Sequence, residues 1–182
     1  QERDDKSFTN QTDLTTRFET GAIRHAFVAG LELSHDVQPS YALTDAFGNG
    51  RPPVTDLFHP DAGQPYTPTL VRTGAETDGR ANSQAVYAFD TLKMGKVQAD
   101  LSARWDHVRV EYANTATTGV TTNFDRSDKA LSGRAGIVYK PVERGSLYAA
   151  YSTSFTPSFD GSFGLTLAAT GGNSQALPPE RS

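Results

Sequence analysis

LSGRAGIVYKPVERGSLYAAYSTSF, residues 131–155, decides the fold. In its first half Leu131, Gly133, Ala135, Ile137 and Tyr139 share one face, while Ser132, Arg134, Gly136, Val138 and Lys140 share the other. In its second half Leu147, Ala149, Tyr151, Thr153 and Phe155 alternate with Ser146, Tyr148, Ala150, Ser152 and Ser154. The period is two, which marks strands. Pro141 has no N–H for a ladder and is expected to end the first strand. Residues 141–145 are expected to turn the chain, with Gly145 supplying a positive φ. A membrane-spanning strand needs roughly 9–11 residues and a soluble one has about 5–6, so both halves are long. Tyr139 and Phe155 close the apolar faces with aromatic rings, as a bilayer with two water interfaces selects. The small, polar opposite face, with Arg134 in its middle, suits a wet lumen.

The same alternation recurs upstream. Residues 8–18 put Thr12, Leu14, Thr16 and Phe18 on one face. Residues 23–35 set Phe27, Ala29, Leu31 and Leu33 against Val28, Gly30, Glu32 and Ser34. In 83–92, Tyr87 and Phe89 oppose Gln84, Val86, Ala88 and Asp90. In 97–112, Val97, Ala99, Leu101, Ala103 and Trp105 oppose Gln98, Asp100, Ser102, Arg104 and Asp106. After His107 the apolar phase moves to Val108, Val110 and Tyr112, which predicts a bulge or a strand that has left the membrane. The connections run short (19–22), long (36–82), short (93–96), long (113–127), short (141–145), then a Gly/Ser/Pro-rich tail from 156. An up-and-down sheet would then carry its tight turns on one rim and its long loops on the other, the asymmetry of outer-membrane barrels. The expected fold is all-β: an antiparallel meander of about six strands, part of a transmembrane β-barrel.

Bulk properties narrow the partners. The chain has 182 residues and a net charge of -4, so nothing recommends nucleic acid. It has no cysteine, which removes disulfides and thiolate metal sites. His25, His35, His59 and His107 show no metal-ligating spacing, and no metal or cofactor is expected. No nucleophile elbow, phosphate loop or paired-carboxylate pattern stands out, so the chain is not read as an enzyme.

Several stretches resemble the barrel of a TonB-dependent outer-membrane siderophore receptor, most closely the ferric-catecholate type. They are DLTTRF (13–18), TGAIRH (20–25) leading into VAGLE (28–32), RWD (104–106), LSGRAG (131–136) with VYKP (138–141), LYAAYSTSF (147–155) and LPPE (177–180). The resemblance implies a bacterial outer-membrane location and a ferric siderophore as transported ligand. It also implies contact with outer-membrane lipid, a plug domain of the same parent chain, and a TonB complex reached through an N-terminal region. Family barrels have about 22 strands around a plug. Residues 1–182 are therefore expected to be an internal piece of one barrel domain, without its plug and remaining strands.

The candidate ligand-binding residues are of two kinds. Tyr41, Phe47, Phe58 and Tyr66 punctuate the long 36–82 segment and could stack on aromatic rings of a ligand. The competing reading is that they pack the loop. Arg51 and Arg72 are placed for anion attraction. Arg104 and Arg134 sit mid-strand on the polar face and could meet the plug or an anionic chelate. The competing reading is lumenal pairing with Glu32, Asp90, Asp100 or Asp106. The alternatives for the whole are a soluble or secreted all-β binding module, a structural porin, and a same-family receptor for a vitamin or sugar.

Overall fold

The computed structural model describes residues 1–46, 56–60, 63 and 68–156, and the backbone of residues 180–181. Every regular element among them is a strand: β1 (Glu2–Arg3), β2 (Lys6–Thr20), β3 (Ile23–Asp45), β4 (Leu70–Met94), β5 (Val97–Thr115), β6 (Thr121–Val142), β7 (Gly145–Thr153), β8 (Phe155–Thr156) and β9 (Glu180–Arg181). The strands from β3 to β7 pair in sequence order, and β1 and β2 share the free edge of β3. All pairings are antiparallel. The result is a half-barrel meander.

Three turns of two residues each lie on one rim, at 21–22, 95–96 and 143–144. Gly21 (φ 62°) and Gly95 (φ 56°) take the left-handed conformation that lets so short a link match the strand twist. The third turn differs from expectation. β6 runs through Pro141 to Val142, and Gly145 opens β7 opposite Val142. The register shifts between Tyr139 and Val142, so Pro141 sits where the ladder is already interrupted and its missing N–H costs nothing. Gly145 is not among the positive-φ glycines.

The opposite rim corrects two loop boundaries. β3 and β4 extend to Asp45 and Leu70, which trims the expected 36–82 loop to 46–69. The expected 113–127 loop is mostly strand, and only residues 116–120 turn. This hairpin stands in water on both faces, so its threonines show no apolar alternation, yet they favour extended backbone and the ladder holds them. Phe155 is also displaced from its expected strand: it lies in β8 and pairs with Arg181, beyond the end of β7.

Register assigns the two faces. Leu101, Ala135 and Tyr151 share one, as do Phe27, Ala29, Leu31 and Leu33 on β3. These side chains are open, with Leu131 and Tyr151 each 74% exposed and Ile137 50%. A dry sandwich core would have closed over them, so the soluble-module alternative fails here. On the other face, side chains reach over an intervening strand. Gln11 of β2 donates to Tyr87 of β4 (2.7 Å), and Arg104 of β5 to Glu32 of β3 (3.2 Å). Strands lie about 4.8 Å apart, so next-but-one neighbours in a flat sheet are nearly 10 Å apart. The sheet has therefore curled toward this face, which is the inner one.

The buried cluster of Ala81, Val108 and Val110, flanked by Tyr112 and Phe124, lies on the inner face near the far rim. It accounts for the phase change after His107. β5 stays in register with both neighbours from Val97 to Thr115, so there is no bulge. The backbone alternation continues while the chemistry exchanges sides, and outward positions become His107, Arg109 and Glu111. The strand has left hydrocarbon.

Candidate functional site

The inner face at mid-height is a polar network built on a glycine. Gly30 of β3 lies between Asp13 of β2 and Tyr87 of β4 in the pairing register. A Cβ on Gly30 would stand 2.6 Å from the Tyr87 ring carbon Cζ and from its hydroxyl. Without one, Tyr87 lies over β3 and donates to Asp13, while its hydroxyl accepts from Gln11. Next to it, the Arg104 guanidinium bonds Glu32 (3.2 Å) and Asp106 (2.8 Å) and lies 5.5 Å from the Tyr87 ring centre. A cavity of about 350 Å³ opens here, lined by Gln11, Asp13, Glu32, Tyr87, Phe89 and Arg104. Arg104 is thus paired with two of the carboxylates expected for it. Asp100 instead accepts from Thr91 and Gln98, and Asp90 pairs with His25 on the outer face.

Arg134 is also on the inner face, opposite Ser102 and Ser152, and is exposed. It takes part in no ion pair among the described residues. The two arginines thus differ: one is held by acids, the other is exposed and in no ion pair among the described residues.

The loop candidates separate. Tyr41 lies in β3 above the apolar band and points outward with Glu2 and Glu76. The Arg72 guanidinium covers its ring at 3.7 Å and makes a two-pronged bond to Glu2, both contacts 2.9 Å. That bond lowers the Glu2 carboxyl pKa and raises that of Arg72. Phe58 is 83% exposed, and the N–H groups of Phe58 and His59 both bond the Asp56 carboxylate, which lowers the Asp56 pKa. Phe47, Tyr66 and Arg51 lie outside the described residues. His25 bonds Asp90, His35 bonds Asn82, His107 bonds Ser127, and His59 stands 3.6 Å from Asp56.

The wall has an apolar outside, a polar and ion-paired inside, and tight turns on one rim. The family model described as "TonB dependent receptor-like, beta-barrel" matches residues 1–182. The chain belongs to the TonB-dependent receptor β-barrel family. The catecholate siderophore receptor Fiu of Escherichia coli (strain K12) is 30% identical over 186 residues, covering 91% of this chain and 24% of that protein. The closed-form crystal structure of the ferric-catecholate import receptor Fiu from K12 E. coli superposes with a TM-score of 0.81 at 28% identity, over 97% of this chain and 27% of that one. The siderophore receptor PiuA from Acinetobacter baumannii superposes with a TM-score of 0.74 at 27% identity, over 98% of this chain and 28% of that one. The chain spans about a quarter of the length of the relatives it matches.

Membership in the TonB-dependent receptor family places the chain in the bacterial outer membrane. The turns at 21–22, 95–96 and 143–144 mark the periplasmic rim, and the connection at 46–69 and the turn at 116–120 the extracellular one. Of the six residues singled out from sequence, Arg104 and Arg134 are brought to the inner face on the neighbouring strands β5 and β6, two residue pairs apart in height, and Tyr41 and Phe58 stand away from it. Sequence reasoning missed Asp13, Gln11 and Tyr87, whose only signal was a lone Gly30 in an otherwise regular strand. It also missed Phe124, which looked like loop, and which packs on Tyr112 with ring centres 6.1 Å apart.

Proposed function

We propose that the parent of this chain binds and imports a ferric siderophore of the catecholate class, and that residues 1–182 supply wall and outer loops within one barrel domain. The observation that carries the reading is the likeness, in sequence and in superposition, to the catecholate receptor Fiu over nearly the whole chain. The parent holds the chelate rather than bare iron, so no protein ligand to the metal is required. Arg134, in no ion pair among the described residues, is the inner-face cation best suited to an anionic chelate or to the plug. Arg104 holds the wall. Tyr112 and Phe124 add aromatic surface higher on the same inner face. A plug domain of the same parent closes the lumen, and a TonB complex contacted through its N-terminal region drives the plug. The outer face meets lipid. The parent is read as a transport receptor and not as an enzyme.

The test uses the full-length receptor in a strain stripped of its own catecholate receptors. Uptake of radioiron presented as a ferric catecholate is expected to be restored, and to vanish when the energy-coupling complex is deleted. Restoration of vitamin or sugar uptake instead, with none of ferric catecholate, would overturn the cargo while keeping the family.

A further inference from the structure

The cations of the inner face fall into two groups. Far from the periplasmic turns they are held by acids: Arg104 bonds Glu32 and Asp106, and Arg126 bonds Asp128 (3.1 Å). Close to the turns they are not. Even steps along a strand keep to one face, so Asp13 leads to Arg17 on β2, Gly30 to Arg24 on β3 and Tyr87 to Lys93 on β4. Arg17 lies four residues before Gly21, Arg24 two after Ala22 and Lys93 two before Gly95. All three therefore stand within about 14 Å of a turn, measured along their strands. Each is exposed and in no ion pair among the described residues. Arg24 and Lys93 are direct cross-strand partners, and like charges so placed destabilise a sheet. The acids nearby do not relieve them. Glu19 stands opposite Arg24 and is in no ion pair among the described residues, and Asp100 accepts from Thr91 and Gln98. The turns below add Lys96 and Arg144 against Glu143.

We infer that this periplasmic mouth is an exit site for anionic cargo, where Arg17, Arg24 and Lys93 receive the ferric chelate from the middle of the wall and release it. The inference rests on the reading that the parent imports a ferric catecholate. Iron(III) held by catecholate oxygens carries net negative charge, so it is the anion that this reading brings down the lumen. Polarity along the wall supplies a direction. Farther up, Asp13 and Asp36 add to the acids that Arg104 and Arg126 already hold, so that part of the face is acidic. At the mouth unpaired cations prevail, and an anion gains by moving toward them. Exposure supplies release. A path that conducts needs sites favourable enough to enter and weak enough to leave. An exposed charge contact strengthens binding by no more than about fivefold. Neighbouring strands lie about 4.8 Å apart, inside a screening length of about 8 Å, so an anion passes among the three without leaving their common field. An anion between Arg24 and Lys93 also relieves the repulsion that their pairing creates.

The test uses the full-length receptor in the strain stripped of its own catecholate receptors, with radioiron presented as a ferric catecholate. Binding to energy-depleted cells reads the outer site, and the initial uptake rate at saturating chelate reads passage. Arg24→Glu/Lys93→Glu should slow uptake about threefold or more while the binding constant stays at the parent's value. Arg24→Lys/Lys93→Arg, which keeps both charges, should recover most of the rate. Lys129→Glu, which reverses a cation on the outer face, should leave uptake unchanged. Heat-modifiable mobility checks assembly, and should the double variant fail it, Lys93→Gln reads the same contact with a smaller fall. If the cluster instead holds an acidic part of the plug, its reversal would loosen the plug and admit a large antibiotic such as vancomycin. Slowed uptake together with that leak would overturn the exit site, as would uptake at the parent's rate or an equal slowing in Lys129→Glu. A parent that imports no ferric catecholate would overturn the cargo reading and the site with it, whereas an importing parent with an unaffected reversed variant would overturn the site alone.

Discussion

Tyr87 donates a hydrogen bond to Asp13 across the bare backbone of Gly30, tying β4 to β2 over the strand between them. The contact needs three residues widely separated in sequence, and it needs the middle one to have no side chain. A methyl group on Gly30 would meet the Tyr87 ring 2.6 Å away. Gly30→Ala should therefore lower barrel stability by about 1–3 kcal/mol, as overpacking does. Tyr87→Ala in the same chain should remove most of that added penalty, because the two positions share one space. Urea unfolding in detergent micelles checks the cycle, and additive effects would mean that the ring does not lie over Gly30.

Facing is tested by charge. Leu101 points out at mid-band, between Asp90 and Ala135, whereas Thr91 points in and donates to Asp100. Leu101→Arg should cost roughly 2–4 kcal/mol, the penalty for a cation at the lipid midplane. Thr91→Arg places the same charge in water beside a carboxylate and should assemble nearly as the parent does. Yield of heat-modifiable receptor in the outer membrane measures both, and equal losses would contradict the assignment.

Arg104 serves two carboxylates, Glu32 and Asp106. Arg104→Ala leaves both acids facing each other without their cation. Its side chain is 33% exposed, so the loss should lie between the limits for exposed and buried pairs, about 1–2 kcal/mol. Adding Glu32→Gln should recover part of it. If the double variant is less stable than Arg104→Ala alone, repulsion between the acids is not the cause.

The outer end of the sheet should respond to acid. Arg72 holds the Glu2 carboxyl below its ordinary 4.5 by hydrogen bonding. A carboxyl lowered in the folded state stabilises fully above its unfolded pKa and loses that contribution as pH falls through the folded one. The clamp of Glu2, Arg72 and Tyr41 should thus hold at neutral pH and loosen as pH falls below the ordinary 4.5 and through the lowered value. The protection factors of the Arg3 and Tyr41 amides, with the intrinsic pH dependence of exchange divided out, should fall in acid, and Glu2→Gln should show low protection at both pH values. A pH-independent protection factor in the parent would exclude the clamp.

Alternation alone revealed the strand cores, because one face must differ from the other wherever lipid lies on one side and water on the other. It failed where that contrast ends. The Thr- and Asn-rich tip around 113–127 has water on both faces and reads as loop, although its ladder continues from Ala113↔Asn123 to Thr115↔Thr121. Likewise Tyr41 looked like a loop aromatic, and only the extension of β3 to Asp45 put it on a strand, facing out under Arg72.

The sequence by itself determined that Leu101 and Ser102 belong to opposite faces and that the apolar phase changes at His107, since both follow from a two-residue repeat. It also supplied the family, through short motifs kept in order. The sequence already pointed to the polar face as the lumenal one; the tertiary structure shows it independently, in the direction in which the sheet curls. Only the tertiary structure decided that the change at His107 is a change of solvent and not a bulge, because register is a property of three strands together. It also brought Asp13 to Tyr87 over Gly30, because such neighbours are set by strand pairing and lie too far apart along the chain for local chemistry to connect them.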